Sequence, residues 1–495
     1  MKTRILFIVF NMVGLMSILS SCNRKDREAN QKLNVLFICV DDLRPQLGCY
    51  GKEYMHTPNI DQLASESRMF RNHFVHCAAC GPSRCTLLSG HRTLDWDIWR
   101  DIRESGSKPD SIFSLPQLFK ENSYKTVCIG KVSHLPGGVV DPRQKIHEMP
   151  YSWDKAYAPV GEWDDPWGAF FSYEGGKTRL YGYNRGNDTD MPPYEAADVS
   201  DEGYADGLNA MEAIRQLQNL KDTSFFLAVG FYKPHLPFNA PKKYWDLYDR
   251  IEIPEAVYKE IPQNVESNIC LHDGHRSYEP RTHYRWPNDT SNYLITPERQ
   301  KILKHGYCAA VSYIDAQVGK IIKELKRLDL EDNTLVVLWG DHGWHLGEYG
   351  IWGKYTNFDI ALRSPLIVKL PGMKKPGVQA QGIVETVDIF PTLAELCELP
   401  VPEHLEGMSM KPIIDDPGAR IKKYALGERN AWGVHGYTIR NEQYRLMTWI
   451  DQKGDTMETQ LFENDEEPLP IQNVANDHPR EVNQLLEILK NSQLN

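Results

Sequence analysis

The sequence has no basic surplus, no long apolar run beyond its first 22 residues, and no internal repeat or low-complexity tract. Each absence removes a class of function. With 56 Lys and Arg against 67 Asp and Glu, the formal charge is −11, which argues against a nucleic-acid partner, since binding a phosphate backbone needs a basic face. It does not exclude a small anionic ligand, because capture inside a cleft depends on local Lys, Arg and helix ends rather than on overall charge. No internal segment approaches the roughly 20 apolar residues of a membrane span. Ten cysteines are scattered over the 495 residues without the clustering of a small disulfide scaffold, and they give no dependable pairing.

Residues 1–22 stand apart. Lys2 and Arg4 precede an apolar stretch from Ile5 to Leu19, followed by Ser20, Ser21 and Cys22, the pattern of an export signal. Leu19–Cys22 also resembles a bacterial lipobox. That reading makes Cys22 a lipidated amino terminus, residues 23–32 a tether, and the protein a periplasmic or outer-membrane-anchored lipoprotein. An ordinary cleaved signal with an incidental cysteine is the alternative.

Four short apolar runs further along each end in polar residues that a plain loop does not require. They are Val35–Val40 before Asp41 and Asp42, Lys125–Ile129 before Gly130, Lys131 and His134, Phe225–Val229 before Lys233 and His235, and Thr334–Trp339 before Asp341 and His342. Helical segments are predicted between them at 59–66, 114–121, 204–217 and 300–328. The alternation predicts an α/β fold with a mostly parallel central sheet, whose ligand site lies beyond the carboxyl ends of the strands. The segment 150–197, rich in Gly, Pro, Tyr and Trp and without period, reads as insertion loops. Beyond Lys422, alternating runs at 437–440 and 444–449 and a helix at 480–490 predict a small antiparallel sheet with a helix against it. The expected division is a catalytic domain over 33–375 and a C-terminal α+β subdomain over 376–495.

Adjacent carboxylates repel unless a cation lies between them, so Asp41 and Asp42, with Asp341 as a third oxygen donor, call for a metal. A mostly carboxylate donor set favours calcium or magnesium; a zinc site would use His342 and His345 with a carboxylate.

The most informative stretch is Cys80, Gly81, Pro82, Ser83, Arg84, Cys85, Thr86, Leu87, Leu88, Ser89, Gly90. A Pro-Ser turn before an apolar run predicts a helix start, where a nucleophile meets the positive backbone end and a neighbouring guanidinium. The stretch resembles the signature of the type I sulfatases of the alkaline-phosphatase superfamily, with Ser89 at a position usually held by Thr. The stretches 40–51, Gly130 to His134, 225–238 and 341–359 are similar to the iduronate-2-sulfatase branch in particular. The resemblance implies that a maturase oxidises Cys80 to formylglycine, and that Asp41, Asp42, Asp341 and His342, together with the modified Cys80, hold calcium. It further implies that Arg84, Lys131, His134, His235 and Lys354 line a sulfate pocket.

Cleaving a sulfate ester needs a nucleophile at sulfur, positive charge on the non-bridging oxygens and a proton for the departing alkoxide. Lys131 and Lys354 suit the charge, His235 the acid, and His134 a base that takes a second proton from the hydrated aldehyde as sulfate leaves. An unmodified thiol has one attacking group and would be trapped. The implied substrate is a 2-O-sulfated uronic acid at the end of a glycosaminoglycan fragment, from heparin, heparan or dermatan sulfate. Trp96, Trp99 and Arg100 are candidate contacts to the sugar and its carboxylate. Ser133, where relatives carry Phe, and His345, where they carry a small residue, leave another sulfated sugar open. A phosphomonoester or phosphonate hydrolase on the same scaffold and a non-catalytic binder of sulfated glycans are the rival readings.

Overall fold

A computed structural model describes residues 32–94, 112–141, 146–178, 191–265, 295–431, 433–464 and 469–493. The strands of the large sheet are β1 (Asn34–Val40), β2 (Arg68–Phe74), β3 (Lys125–Gly130), β4 (Lys155–Tyr157), β5 (Phe225–Phe231), β6 (Thr334–Gly340), β7 (Leu366–Lys369) and β8 (Gln379–Glu385). They lie in the order β8-β2-β7-β6-β1-β5-β3-β4. β7 alone runs antiparallel to its neighbours, β6 and β2. The four apolar runs read from the sequence are thus the adjacent strands β6, β1, β5 and β3. Their ends are in register: Val40 pairs with Gly340 on one side and Phe231 on the other, and Gly130 pairs with Gly230.

Successive residues of a strand point to opposite faces, and β1 divides accordingly. Leu36, Ile38 and Val40 pack with α1 (Pro58–Ser65), α5 (Ala205–Leu220) and the long α6 (Pro297–Arg327). Val35, Phe37 and Cys39 pack with α2 (Cys80–Ser89), α3 (Leu115–Glu121) and α7 (Ile389–Leu396). Helices on both faces explain why these strands are apolar throughout, with no polar side to alternate. The helix starts follow local chemistry. Ser114 and Thr296 accept from Gln117 N–H and Arg299 N–H at the N-termini of α3 and α6, each with Pro in its first turn.

β8 lies beyond residue 375 and pairs in parallel with β2, so the large sheet extends past the expected domain division. The segment 150–197 is less loop-like than its composition predicts. It supplies the edge strand β4, the short helix α4 (Pro166–Phe170) and, among the described residues, five buried aromatics, Trp153, Trp163, Phe170, Phe171 and Tyr173. Aromatics packed on one another need no helical or strand period, which is why none is visible. The C-terminal sheet is a four-stranded antiparallel meander of β9 (Ala425–Ala431), β10 (Val434–Arg440), β11 (Tyr444–Asp451) and β12 (Thr456–Glu463). α8 (Pro479–Gln493) lays Leu485 and Leu489 against Ile439, Leu446 and Leu461 of that sheet.

Candidate active site

The strand ends and the N-terminus of α2 meet at one place. Asp41 and Asp42 continue β1, and Asp42 takes a left-handed backbone (φ 58°) that turns the chain at the sheet edge. Its N–H donates to Asp341 Oδ1 at 2.9 Å, joining the ends of β1 and β6. Ser83 of α2 donates its hydroxyl to the Asp341 carbonyl and pins the helix to the same loop. Asp41, Asp42, Cys80 and His342 each place one ligand atom within 4.8 Å of the others, and all four are buried. Asp341 flanks the group, with Oδ1 3.7 Å from His342 Nε2.

Cations surround these acids. Arg84, without solvent exposure, donates from Nε to Asp341 Oδ2 at 2.9 Å and from a terminal nitrogen to Asp41 Oδ1 at 3.3 Å. Its other terminal nitrogen donates to the carbonyls of Lys131 and Val132. Lys131 Nζ donates to Asp41 Oδ2 at 2.6 Å, and Lys354 Nζ lies 2.8 Å from Asp42 Oδ1 and 3.0 Å from Cys80 Sγ. Lys131 is brought in by a close approach of β3 and β5. A Cβ on Gly130 (φ 66°) would fall 2.1 Å from the Gly230 carbonyl oxygen, and one on Gly230 would fall 2.0 Å from that of Lys131.

Burial and these neighbours divide the carboxylates. Burial acts against the charge of Asp41, but Lys131 and Arg84 together outweigh it and hold the group well below the usual range. Burial pushes Asp42 and Asp341 up to about 7. Asp42 Oδ2 is buried with no hydrogen-bond partner. A hard divalent cation answers both features: it supplies the positive charge that burial makes necessary and a partner for the orphaned oxygen, so the donor set fits one. In a matured chain an oxygen of the modified residue would stand where Cys80 Sγ stands, 3.4 Å from His342 Nε2. His345 does not join the group; its Nε2 pairs with Thr356 Oγ1 at 2.8 Å.

Three histidines are neutral, chiefly through burial. His342 is held at about 4 and His134 at about 3, and His235 lies well below its ordinary value, with Lys354 the second cause. His235 Nδ1 is 2.6 Å from the Leu236 carbonyl and so carries the hydrogen, which leaves Nε2 turned to the acids, 4.0 Å from Asp42 Oδ2. His134 has a buried Nδ1 without partner and packs beside Gly81, where an added Cβ would lie 3.8 Å from the ring.

Two aromatics escaped the sequence reading. Phe170 of α4 packs 4.7 Å from His235, centroid to centroid, and lies 4.3 Å from Lys131 Nζ; Trp167 stands edge-on to His134 at 6.0 Å. The signal for α4 is short but present: Asp165 caps it by accepting from Gly168 N–H, and Pro166 follows at the first helical position. Trp96, Trp99, Arg100 and Cys22 lie outside the described residues.

Comparison with known proteins agrees with this geometry. The sulfatase family model matches residues 33–399, and that of the N-sulphoglucosamine sulphohydrolase C-terminal region matches 347–494. The iduronate 2-sulfatase of Mus musculus is 32% identical, the alignment covering 94% of this chain and 95% of that protein. Among solved structures, the phosphonate monoester hydrolase of Agrobacterium radiobacter superposes with a TM-score of 0.75 at 21% identity, over 94% of this chain and 96% of its own. A 2-O GAG sulfatase superposes with a TM-score of 0.66 at 20% identity, over 93% and 92%. At those identities the structures bear on the fold, which is alkaline-phosphatase-like. Sulfatases carry a formylglycine and a divalent metal, and a buried thiol at a helix N-terminus beside paired carboxylates provides for both. The chain belongs to the sulfatase family and is a sulfuric ester hydrolase.

Proposed function

We propose that this enzyme removes the 2-O-sulfate of a uronic acid residue at the end of a glycosaminoglycan fragment, using formylglycine formed at Cys80 and calcium held by Asp41, Asp42, Asp341 and His342. One observation carries the reading: the likeness to an iduronate 2-sulfatase runs over 94% of the chain, through every segment that builds the site. When bound, calcium supplies positive charge to the non-bridging sulfate oxygens, and the hydrated aldehyde supplies an oxygen nucleophile with a second ionisable hydroxyl.

The side chains do the rest. Lys131 and Lys354, each within 3 Å of an acid of the cluster, hold ammonium groups where sulfate oxygens arrive. His235 presents Nε2 to the reacting centre because Nδ1–H is committed to Leu236. An arriving anionic ester raises the affinity of that nitrogen for a proton, which it gives to the leaving alkoxide. His134 is neutral with a free acceptor nitrogen, the form a base requires. Arg84 orients Asp41, Asp341 and the Lys131 backbone. We also read residues 1–22 as an export leader and Cys22 as the lipidated residue of a bacterial lipoprotein; incorporation of labelled palmitate that survives Cys22→Ala would refute this.

The test is a desulfation screen on disaccharides sulfated at single positions, with aryl phosphate and phosphonate esters alongside. Release from the uronate 2-position alone is expected. Selective release from a hexosamine overturns the specificity, and faster turnover of the phosphorus esters overturns the assignment to sulfate.

A further inference from the structure

A cavity of about 560 Å³ opens where the loop after β1, the segment 348–363 and the C-terminal sheet meet. Its volume is that of a pocket for a small organic ligand. Cys80, Lys131, His134, His235, His342 and Lys354 are all absent from its lining. Six basic side chains do line it: Arg44, Lys52, Lys304, Arg363, Arg440 and Arg445. Against them stand three acidic ones, Glu255, Glu348 and Asp359.

Two of these acids hold three of the cations. Glu348 pairs with Arg44 at 2.9 Å, whereas Asp359 alone serves both Arg445 and Arg440, the latter at 3.4 Å. Arg445 and Arg440 are only 4% and 5% exposed, yet Arg445 Nη2 makes no hydrogen bond, and Arg440 Nε faces Asp359 Oδ2 at 3.4 Å without hydrogen-bond geometry. Lys304 is 8% exposed and lines the cavity; among the described residues its ammonium has no hydrogen bond or ion pair, although burial lowers its affinity for the proton. A buried guanidinium nitrogen without an acceptor costs folding free energy and builds nothing in the apo protein, so Arg445 Nη2 points to a ligand that supplies one. Tyr54 adds an aromatic ring to the wall, and Phe358 and Phe462, packed on each other at 5.4 Å, form its apolar base.

We propose that this cavity is a second, non-catalytic site that binds an acidic sugar unit through its carboxylate or sulfate groups, with Lys304, Arg440 and Arg445 as the anion contacts. The choice of a sugar rests on the sulfatase reading above; the choice of an anion rests on the cavity itself. Planar guanidinium forks match carboxylate and sulfate oxygens, and the ammonium of Lys304 adds a point charge. The site joins the catalytic cluster through a short relay. Arg44 N–H donates to the Tyr307 hydroxyl at 3.0 Å, and that hydroxyl donates to the Asp42 carbonyl at 2.8 Å.

The test is calorimetric titration of a sulfated, uronate-containing tetrasaccharide into full-length chain carrying Cys80→Ala, which cannot turn over. Two sites per chain are expected. Lys304→Met weakens one of them about tenfold or more, the loss of a charge-assisted contact, and leaves the other intact. Arg440→Gln does the same independently, in case the first variant disturbs folding. Matured Lys304→Met hydrolyses a small aryl sulfate at the parent rate. A single binding site, or two sites indifferent to both substitutions, overturns the proposal. Inorganic sulfate is titrated in parallel, and equal affinity at the Lys304-dependent site overturns the sugar assignment. Because the readout is binding to a chain without catalysis, a failed desulfation screen leaves this result standing, and a missing second site leaves the screen standing.

Discussion

Replacing Arg84 by Met tests whether the charged cluster is held by this side chain. The guanidinium is fully buried and reaches four acceptors: Asp341 Oδ2 at 2.9 Å, Asp41 Oδ1 at 3.3 Å, the Val132 carbonyl at 3.1 Å and the Lys131 carbonyl. Methionine fills much of the volume and satisfies none of them. Taken one by one, hydrogen bonds to charged groups contribute roughly 1.5–3 kcal/mol each, but the partners relax and Lys131 still faces Asp41. The net cost therefore falls in the range for breaking a buried ion pair, about 3–5 kcal/mol. Arg420 is the control: it meets Glu442 at 3.0 Å, with the two side chains 43% and 63% exposed, and such pairs contribute about 0–1 kcal/mol. Urea unfolding of unmatured protein in chelator reads stability without metal or turnover. A loss under about 1 kcal/mol for Arg84→Met, equal to that of Arg420→Met, would show that the cluster does not depend on the guanidinium.

Calcium at 100 times its dissociation constant should stabilise the folded chain by about 2.7 kcal/mol, seen as a rise in Tm; Asp42→Asn should abolish the rise, and its persistence would remove Asp42 from the metal site. Glu348 gives a pH test. Burial opposes its charge, but Arg44 overrides burial and holds it at about 2, below its unfolded value of about 4.3. Its contribution of about 3 kcal/mol is present above pH ~4.3 and lost as pH falls towards ~2; Glu348→Gln should flatten that limb of a stability-against-pH curve. Gly230→Ala should cost about 3 kcal/mol or more and lower kcat together, since the new Cβ meets the Lys131 carbonyl at 2.0 Å. An active, stable Gly230→Ala protein would show that the strand ends tolerate separation.

The central strands were legible because both of their faces are buried, which leaves long apolar runs that end abruptly where the sheet ends. The outer strands were not. β2 reads Arg-Met-Phe-Arg-Asn-His-Phe, and three of its four polar residues, Arg68, Asn72 and His73, are buried rather than solvent-facing. Arg68 donates to the carbonyls of Lys374, Lys375, Val378 and Ile414, and His73 pairs with Ser364 and Thr386. Hydropathy cannot register partners more than 290 residues away in the chain. The acids and Cys80 were legible for the opposite reason, since adjacent carboxylates and a Cys-x-Pro-Ser-Arg turn carry their chemistry locally. The cavity above α6 was invisible, because its cations come from four separate stretches, 44–52, 304, 363 and 440–445, and become neighbours only on folding.

Cys80 ends up 6% exposed at the bottom of this cluster, enclosed by side chains from as far along as Lys354. A catalyst that must grasp the peptide around the thiol finds no room to do so once the chain has closed over it. On the reading proposed above, editing of Cys80 therefore precedes collapse, and that order sets what fraction of a preparation is competent.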